Sequence, residues 1–133
     1  MLPRFMLLRV LLLFALLLSA IQNGLAVLGE EVLRAGILGT DTSHVVAFTS
    51  ILNSDKATGV MKRIRVVAAF PGGSDDIPSS RDRVKGFADT LASQGVHIVD
   101  SVEQVVAESD VILLESVDGR VHLDQFRRAA QGK

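Results

Sequence analysis

The stretch LRAGILGTDTSH, Leu33 to His44, constrains this chain more than any other part of it. A short apolar run suited to a buried strand, with Leu33, Ala35, Ile37 and Leu38, ends in two glycines and then a cluster of small polar residues. Gly36 and Gly39 let backbone come close to a ligand, and Thr40 to Ser43 suit the cap of a following helix. The segment therefore reads as a strand feeding a turn that cradles phosphate. A full G-x-G-x-x-G needs three glycines, whereas here G-x-x-G is followed by Thr40, Asp41 and Thr42, and an ordinary tight turn between strand and helix reads equally well.

Beyond this turn, strand-like and helix-like segments alternate without a long linker, which implies a parallel sheet. The first strand, about Arg34 to Leu38, leads to a helix from about Ser43 to Asn53, with Val45, Phe48 and Leu52 at helical spacing. Ile64 to Phe70 is a continuous β-branched and small apolar run, the pattern of a strand buried on both faces, stopped by Pro71, Gly72 and Gly73. Ser79 or Ser80 suits the cap of a helix from Arg81 to about Ser93, closed by Gly95. A short strand, Val96 to Val99, is followed by Ser101 and Gln104, spaced as a capping box for a helix over Val102 to Glu108. Val111 to Leu114 makes a fourth strand, and an amphipathic helix spans about Gly119 to Ala130.

The chain's first 26 residues read as a targeting segment rather than as part of this domain. Arg4 and Arg9 give a basic start, Val10 to Ala20 is almost unbroken apolar sequence, and small residues at Ser19, Ala20, Gly24 and Ala26 suit a leader peptidase. That run is short for a membrane span, so export to the periplasm or the exterior, or anchoring through this segment, is expected. Much of the positive mean hydropathy of +0.36 belongs to it. Two of the 14 Lys and Arg and none of the 15 Asp and Glu fall within it, leaving a net charge of −3 and no basic footprint for nucleic acid. Cysteine is absent, which excludes disulfides and thiolate metal sites.

From about Leu33 to Lys133 the order of these pieces resembles the N-terminal half of the Gfo/Idh/MocA oxidoreductases, a family of NAD(P)-dependent sugar and inositol dehydrogenases. RAGILGTDTSH, RIRVVAAFPGG, HIVDSVEQVVAESDVILLES and VHLDQFRRAAQGK carry the resemblance. It implies an α/β, Rossmann-like domain over 32–133, with a parallel sheet of about four strands in the order 3-2-1-4 and helices on both faces. It also implies NAD or NADP as the cofactor. The residues it places around that dinucleotide are Gly36, Gly39, Thr40, Asp41, Thr42, Ser43 and His44 in the turn, Phe70 where the second strand ends, Glu115 and Ser116 after the fourth strand, and His122 in the last helix. Replacing Gly39 with a bulky residue is expected to remove binding and leave the fold.

Phe70, Pro71 and Gly72 stand where many dinucleotide sites place an acid for the ribose 2′-hydroxyl; Asp75 and Asp76 follow a few residues on, and Arg81 and Arg83 leave a 2′-phosphate open. Glu115, a carboxylate directly after a buried strand, must be solvated, paired or functional. The His122 side chain otherwise reads as a helix-surface group. In the family a Glu-Lys-Pro segment with the lysine that looks catalytic follows a fifth strand, and Lys133 comes before it, so no catalytic residue is assigned and hydride transfer by this chain alone is not expected. The edge beside Val111 to Leu114 is expected to stay open and to invite self-association or a partner's strand. A non-catalytic binding or interaction module, and a gene fragment without function, are the readings from other classes.

Overall fold

The computed structural model describes residues 31–132, and the targeting segment read over 1–26 lies outside them. Four segments rich in β-branched and small apolar residues are strands: β1 (Leu33–Leu38), β2 (Ile64–Phe70), β3 (His97–Ile98) and β4 (Val111–Leu114). The helices α1 (His44–Leu52), α2 (Pro78–Ser93), α3 (Val102–Glu108) and α4 (Gly119–Gln131) alternate with them, and a 3₁₀ turn over Gly59–Arg63 precedes β2. All pairings are parallel, and the sheet runs β3-β2-β1-β4. The fold is therefore α/β with the strand order expected from the sequence.

Register explains how the two faces fill. Ala35 pairs with Val66 but Gly36 pairs with Ala68, so Val67 is an extra residue in β2 and reverses its alternation. Val66 and Ala69 consequently share one face with Ala35 and Ile37, where Val45 of α1 and Leu91 of α2 complete a core. Leu38 and Ala68 point to the other face, against Val102, Val105 and Val106 of α3 and Ala129 of α4. At the amino ends of the strands Arg34 and Asp110 clamp β1 to β4: the Asp110 carboxylate accepts from Arg34 N at 2.8 Å and from Nη2 at 2.7 Å.

Three details differ from the sequence reading, two of them boundaries. Helix α2 begins at Pro78, not Arg81, because proline is well placed in a first turn, and neither Ser79 nor Ser80 caps it. Strand β3 shortens to two residues. The capping box of α3 forms with a shift: Gln104 N donates to Ser101 Oγ at 3.2 Å, while Gln104 Oε1 accepts from Asp100 N at 2.8 Å, one residue upstream of the usual partner.

β4 is an edge strand of this sheet, and beside it lies an apolar groove of about 240 Å³ formed by Ile112, Leu114, Phe126, Ala129 and Ala130. Among the described residues no helix is long and apolar enough to cross a membrane.

Candidate functional site

In an open parallel sheet, ligands bind beyond the carboxyl ends of the strands where the order reverses, which here is between β1 and β4. Two loops meet at that point. Leu38 O accepts from Glu115 N at 2.8 Å, holding the end of β4 against the end of β1. Gly39 then turns the chain with φ +90°, a conformation side chains rarely tolerate. A Cβ on Gly39 would lie 2.1 Å from Ser116 Oγ and 2.6 Å from Ser116 N, so the two loops touch through the missing side chain.

Gly36 has a different job from the one its sequence suggests. A Cβ there would meet Val105 Cγ1 at 2.3 Å and Ser109 Oγ at 2.7 Å, so this glycine lets α3 approach the sheet and does not face a ligand. Thr40 and Asp41 are likewise buried. Thr40 Oγ1 donates to Val84 O at 3.0 Å and Thr40 N to Gly72 O at 3.1 Å, while Gly39 N donates to Phe70 O at 3.0 Å. Two amides of the glycine turn thus tie β1 to the end of β2 and are not available to a phosphate.

The donors left at the switch point belong to α1. Its backbone ladder begins with Ala47 N donating to Ser43 O, which leaves the amides of Val45 and Val46 without an intrahelical acceptor. Ser43 stands at the N-cap but makes no side-chain cap; Thr42 Oγ1 accepts from His44 N at 3.3 Å. Thr42 is half-buried, and Ser43 and His44 are exposed. Glu115 shares this region: its partial burial raises the carboxyl above the usual range, and the nearby His44 charge works the other way.

Around this mouth runs a buried polar network that local sequence patterns do not disclose. Asp41 Oδ2 accepts from Ser80 Oγ at 2.6 Å, and Oδ1 accepts from Val117 N at 3.1 Å. Ser80 Oγ also accepts from Ser74 N at 2.8 Å, and Ser74 Oγ donates to Asp118 Oδ2 at 2.5 Å. Arg120 joins Asp118 to Asp76, donating to both Asp76 oxygens at 2.9 Å. The Asp41 carboxylate is turned inward, which removes the repulsion it would present to an anion at the turn. Asp76, though exposed, is held by Arg120.

Ser116 and His122 are also tied to this frame. The Ser116 side chain is buried against Gln125, a residue with no motif to mark it in the sequence, with Oγ 2.9 Å from Nε2 and 3.0 Å from Oε1. His122 is half-buried with Nε2 against Ser116 O, so it is not a free helix-surface side chain. Asp118 caps α4 through Arg120 N, a role its position just before a helix advertises. Beyond β2 a separate cleft of about 360 Å³ lies between Phe70, Gly72 and Gly73 on one side and Arg81 and Lys85 of α2 on the other. Among the described residues no cluster of three His, Asp or Glu is placed to hold a metal ion.

The ion pairs of this frame predict acid sensitivity. Arg128 holds the Glu103 carboxyl down to about 2, and Arg120, with help from Ser74 at Asp118, holds Asp118 and Asp76 below the usual range. Each is depressed relative to the unfolded chain, so its stabilisation is complete above the unfolded value, 4.5 for Glu and 3.8 for Asp, and drains away as pH falls through the folded value. Glu115 runs oppositely: its raised value favours the fold at low pH and loses that contribution as pH rises. Urea midpoints are therefore expected to fall modestly from about pH 4 to 2, as befits largely exposed pairs, with a small opposing loss from Glu115 as pH rises above the ordinary Glu value. Arg120→Met should flatten that fall, and an unchanged slope would contradict the assignment.

Comparison with family models, with curated proteins and with solved structures finds no match to this chain.

Proposed function

We propose that this chain is the Rossmann-like, dinucleotide-binding portion of an oxidoreductase similar to the Gfo/Idh/MocA enzymes, acting on sugar-like substrates. NAD or NADP would be held at the carboxyl ends of β1 and β4 by the first amides of α1 with Thr42, Ser43 and His44. The observation that carries this reading is the open N-terminus of α1, which follows the Gly39 turn at the point where the strand order reverses. The donor set suits an anion: helix-end amides, the Thr42 and Ser43 hydroxyls, and His44, with Asp41 bonded away. The dinucleotide would supply the hydride chemistry of the whole enzyme, and these residues would hold and orient it without performing the transfer alone.

A second reading, a binding module without cofactor, draws on the network from Asp41 to Arg120, which orders the three loops by protein contacts alone. One substitution separates the two. Ser43→Asp adds a carboxylate at the start of α1, where the helix dipole favours it by about 0.3 to 1 kcal/mol. The same charge repels a diphosphate. Under the dinucleotide reading the variant melts no lower than the parent yet binds NAD(H) or NADP(H) at least about tenfold more weakly, a change worth about 1.4 kcal/mol. Unchanged affinity, or no affinity in the parent, overturns the reading.

A further inference from the structure

We infer that the dinucleotide of this site carries a 2′-phosphate, NADP(H) in place of NAD(H), and that Arg81 and Lys85 hold that phosphate in the cleft at the end of β2. The inference rests on the dinucleotide reading of the site and adds to it the identity of the cofactor.

Three observations lead to it. The first is the end of β2. A ribose with a free 2′-hydroxyl is usually met there by a carboxylate that accepts from it. Phe70 occupies this place, half-buried, and Gly72 N donates to its carbonyl at 2.8 Å, so the chain turns immediately after the strand. A Cβ on Gly72 would lie 2.9 Å from the Phe70 ring and 3.0 Å from Gln125 Nε2, so the turn packs closely on the ring, and no carboxylate stands at the end of the strand itself.

The second is the charge that replaces the missing acid. Arg81 and Lys85 are one helical turn apart on α2 and both line the cleft, against a single carboxylate, Asp75. Arg81 Nη1 donates to the backbone carbonyl of Asp75 at 3.2 Å, which draws the guanidinium over the loop that closes the cleft. Among the described residues Arg81 Nη2 has no acceptor, and Lys85 Nζ bonds Asp89 alone.

The third is how little holds those cations elsewhere. Arg81 pairs with Asp82 at 3.0 Å and Lys85 with Asp89 at 2.6 Å, with side chains 52% and 86% exposed. Pairs in that setting are weak and exchange readily for a doubly charged phosphate, with which Arg makes forked hydrogen bonds. Asp76, the other loop acid available to a ribose hydroxyl, is occupied by Arg120.

The test is a titration of the full chain with NADPH, NADH and 2′,5′-ADP, alone and as the Arg81→Ala/Lys85→Ala double variant. NADPH is expected to bind about tenfold or more tighter than NADH, the gain of one charge-assisted phosphate contact. 2′,5′-ADP should displace NADPH where 5′-AMP does not. The double variant should bring the two affinities within about twofold of each other, while circular dichroism shows the fold retained, as expected for exposed side chains. Equal or tighter binding of NADH by the parent overturns this inference and leaves the dinucleotide reading standing. A parent that binds neither overturns both. A double variant that keeps its NADPH preference removes Arg81 and Lys85 from the site.

Discussion

Gly39→Val is expected to cost about 3 kcal/mol or more, a large share of the roughly 5 to 15 kcal/mol that holds a domain of this size. Two independent penalties add. At φ +90° any side chain is strained, and the new Cβ would fall within 2.6 Å of the Ser116 amide nitrogen, a backbone atom that cannot swing aside. Relief requires the β4–α4 loop to lift from the end of β1, which breaks the contact between the two halves of the candidate site. Binding and folding are therefore not separable at Gly39, contrary to what the motif alone suggests. Urea or thermal unfolding of Gly39→Val checks this, and a midpoint within about 0.5 kcal/mol of the parent would show that the loops are not packed as described.

Gly36→Ala is expected to destabilise by about 1 to 3 kcal/mol through overpacking, without backbone strain. Its Cβ would press on Val105 Cγ1 at 2.3 Å, inside a fully buried side chain of α3, and on Ser109 at 2.7 Å. Pairing it with Val105→Ala should recover part of the loss, because the two sites touch and their effects cannot add independently. The pair of glycines then separates by role. The folded fraction of Gly36→Ala should keep its dinucleotide affinity, since this residue faces α3 and not the mouth of the site; a specific loss of binding would return Gly36 to the ligand.

The fold is readable in the sequence wherever one local signal dominates. The β2 run over Ile64–Phe70, the Ser101 cap of α3 and the β4 run over Val111–Leu114 each combine apolar patterning with a clear stop, and their bounds agree with the structure. The start of α2 is obscured because Ser79 and Ser80 look like caps, yet Ser80 turns inward to Asp41 and Pro78 opens the helix. At the site the turn itself is legible. The polar network is not, because Ser74, Ser80, Asp118 and Gln125 are ordinary loop and helix residues until the crossovers bring three loops together. The spacing between Asp41 and Val117, or between Ser74 and Asp118, carries no local periodicity that a sequence pattern can register. The 3₁₀ turn over Gly59–Arg63 escapes notice for a simpler reason: its exposed Val60 and Met61 give no buried face to detect.

A dinucleotide at the start of α1, between the ends of β1 and β4, should perturb the amides that surround it. Backbone amide shifts of the isotope-labelled chain, followed during titration with NADPH, test this at the residues concerned. Saturable shifts are expected at Thr42 to Val46 and Glu115 to Val117, with a second group at Gly72, Gly73 and Arg81. No shifts at these amides at millimolar NADPH or NADH, or shifts confined to the amino ends of the strands near Arg34 and Asp110, would contradict a dinucleotide site there.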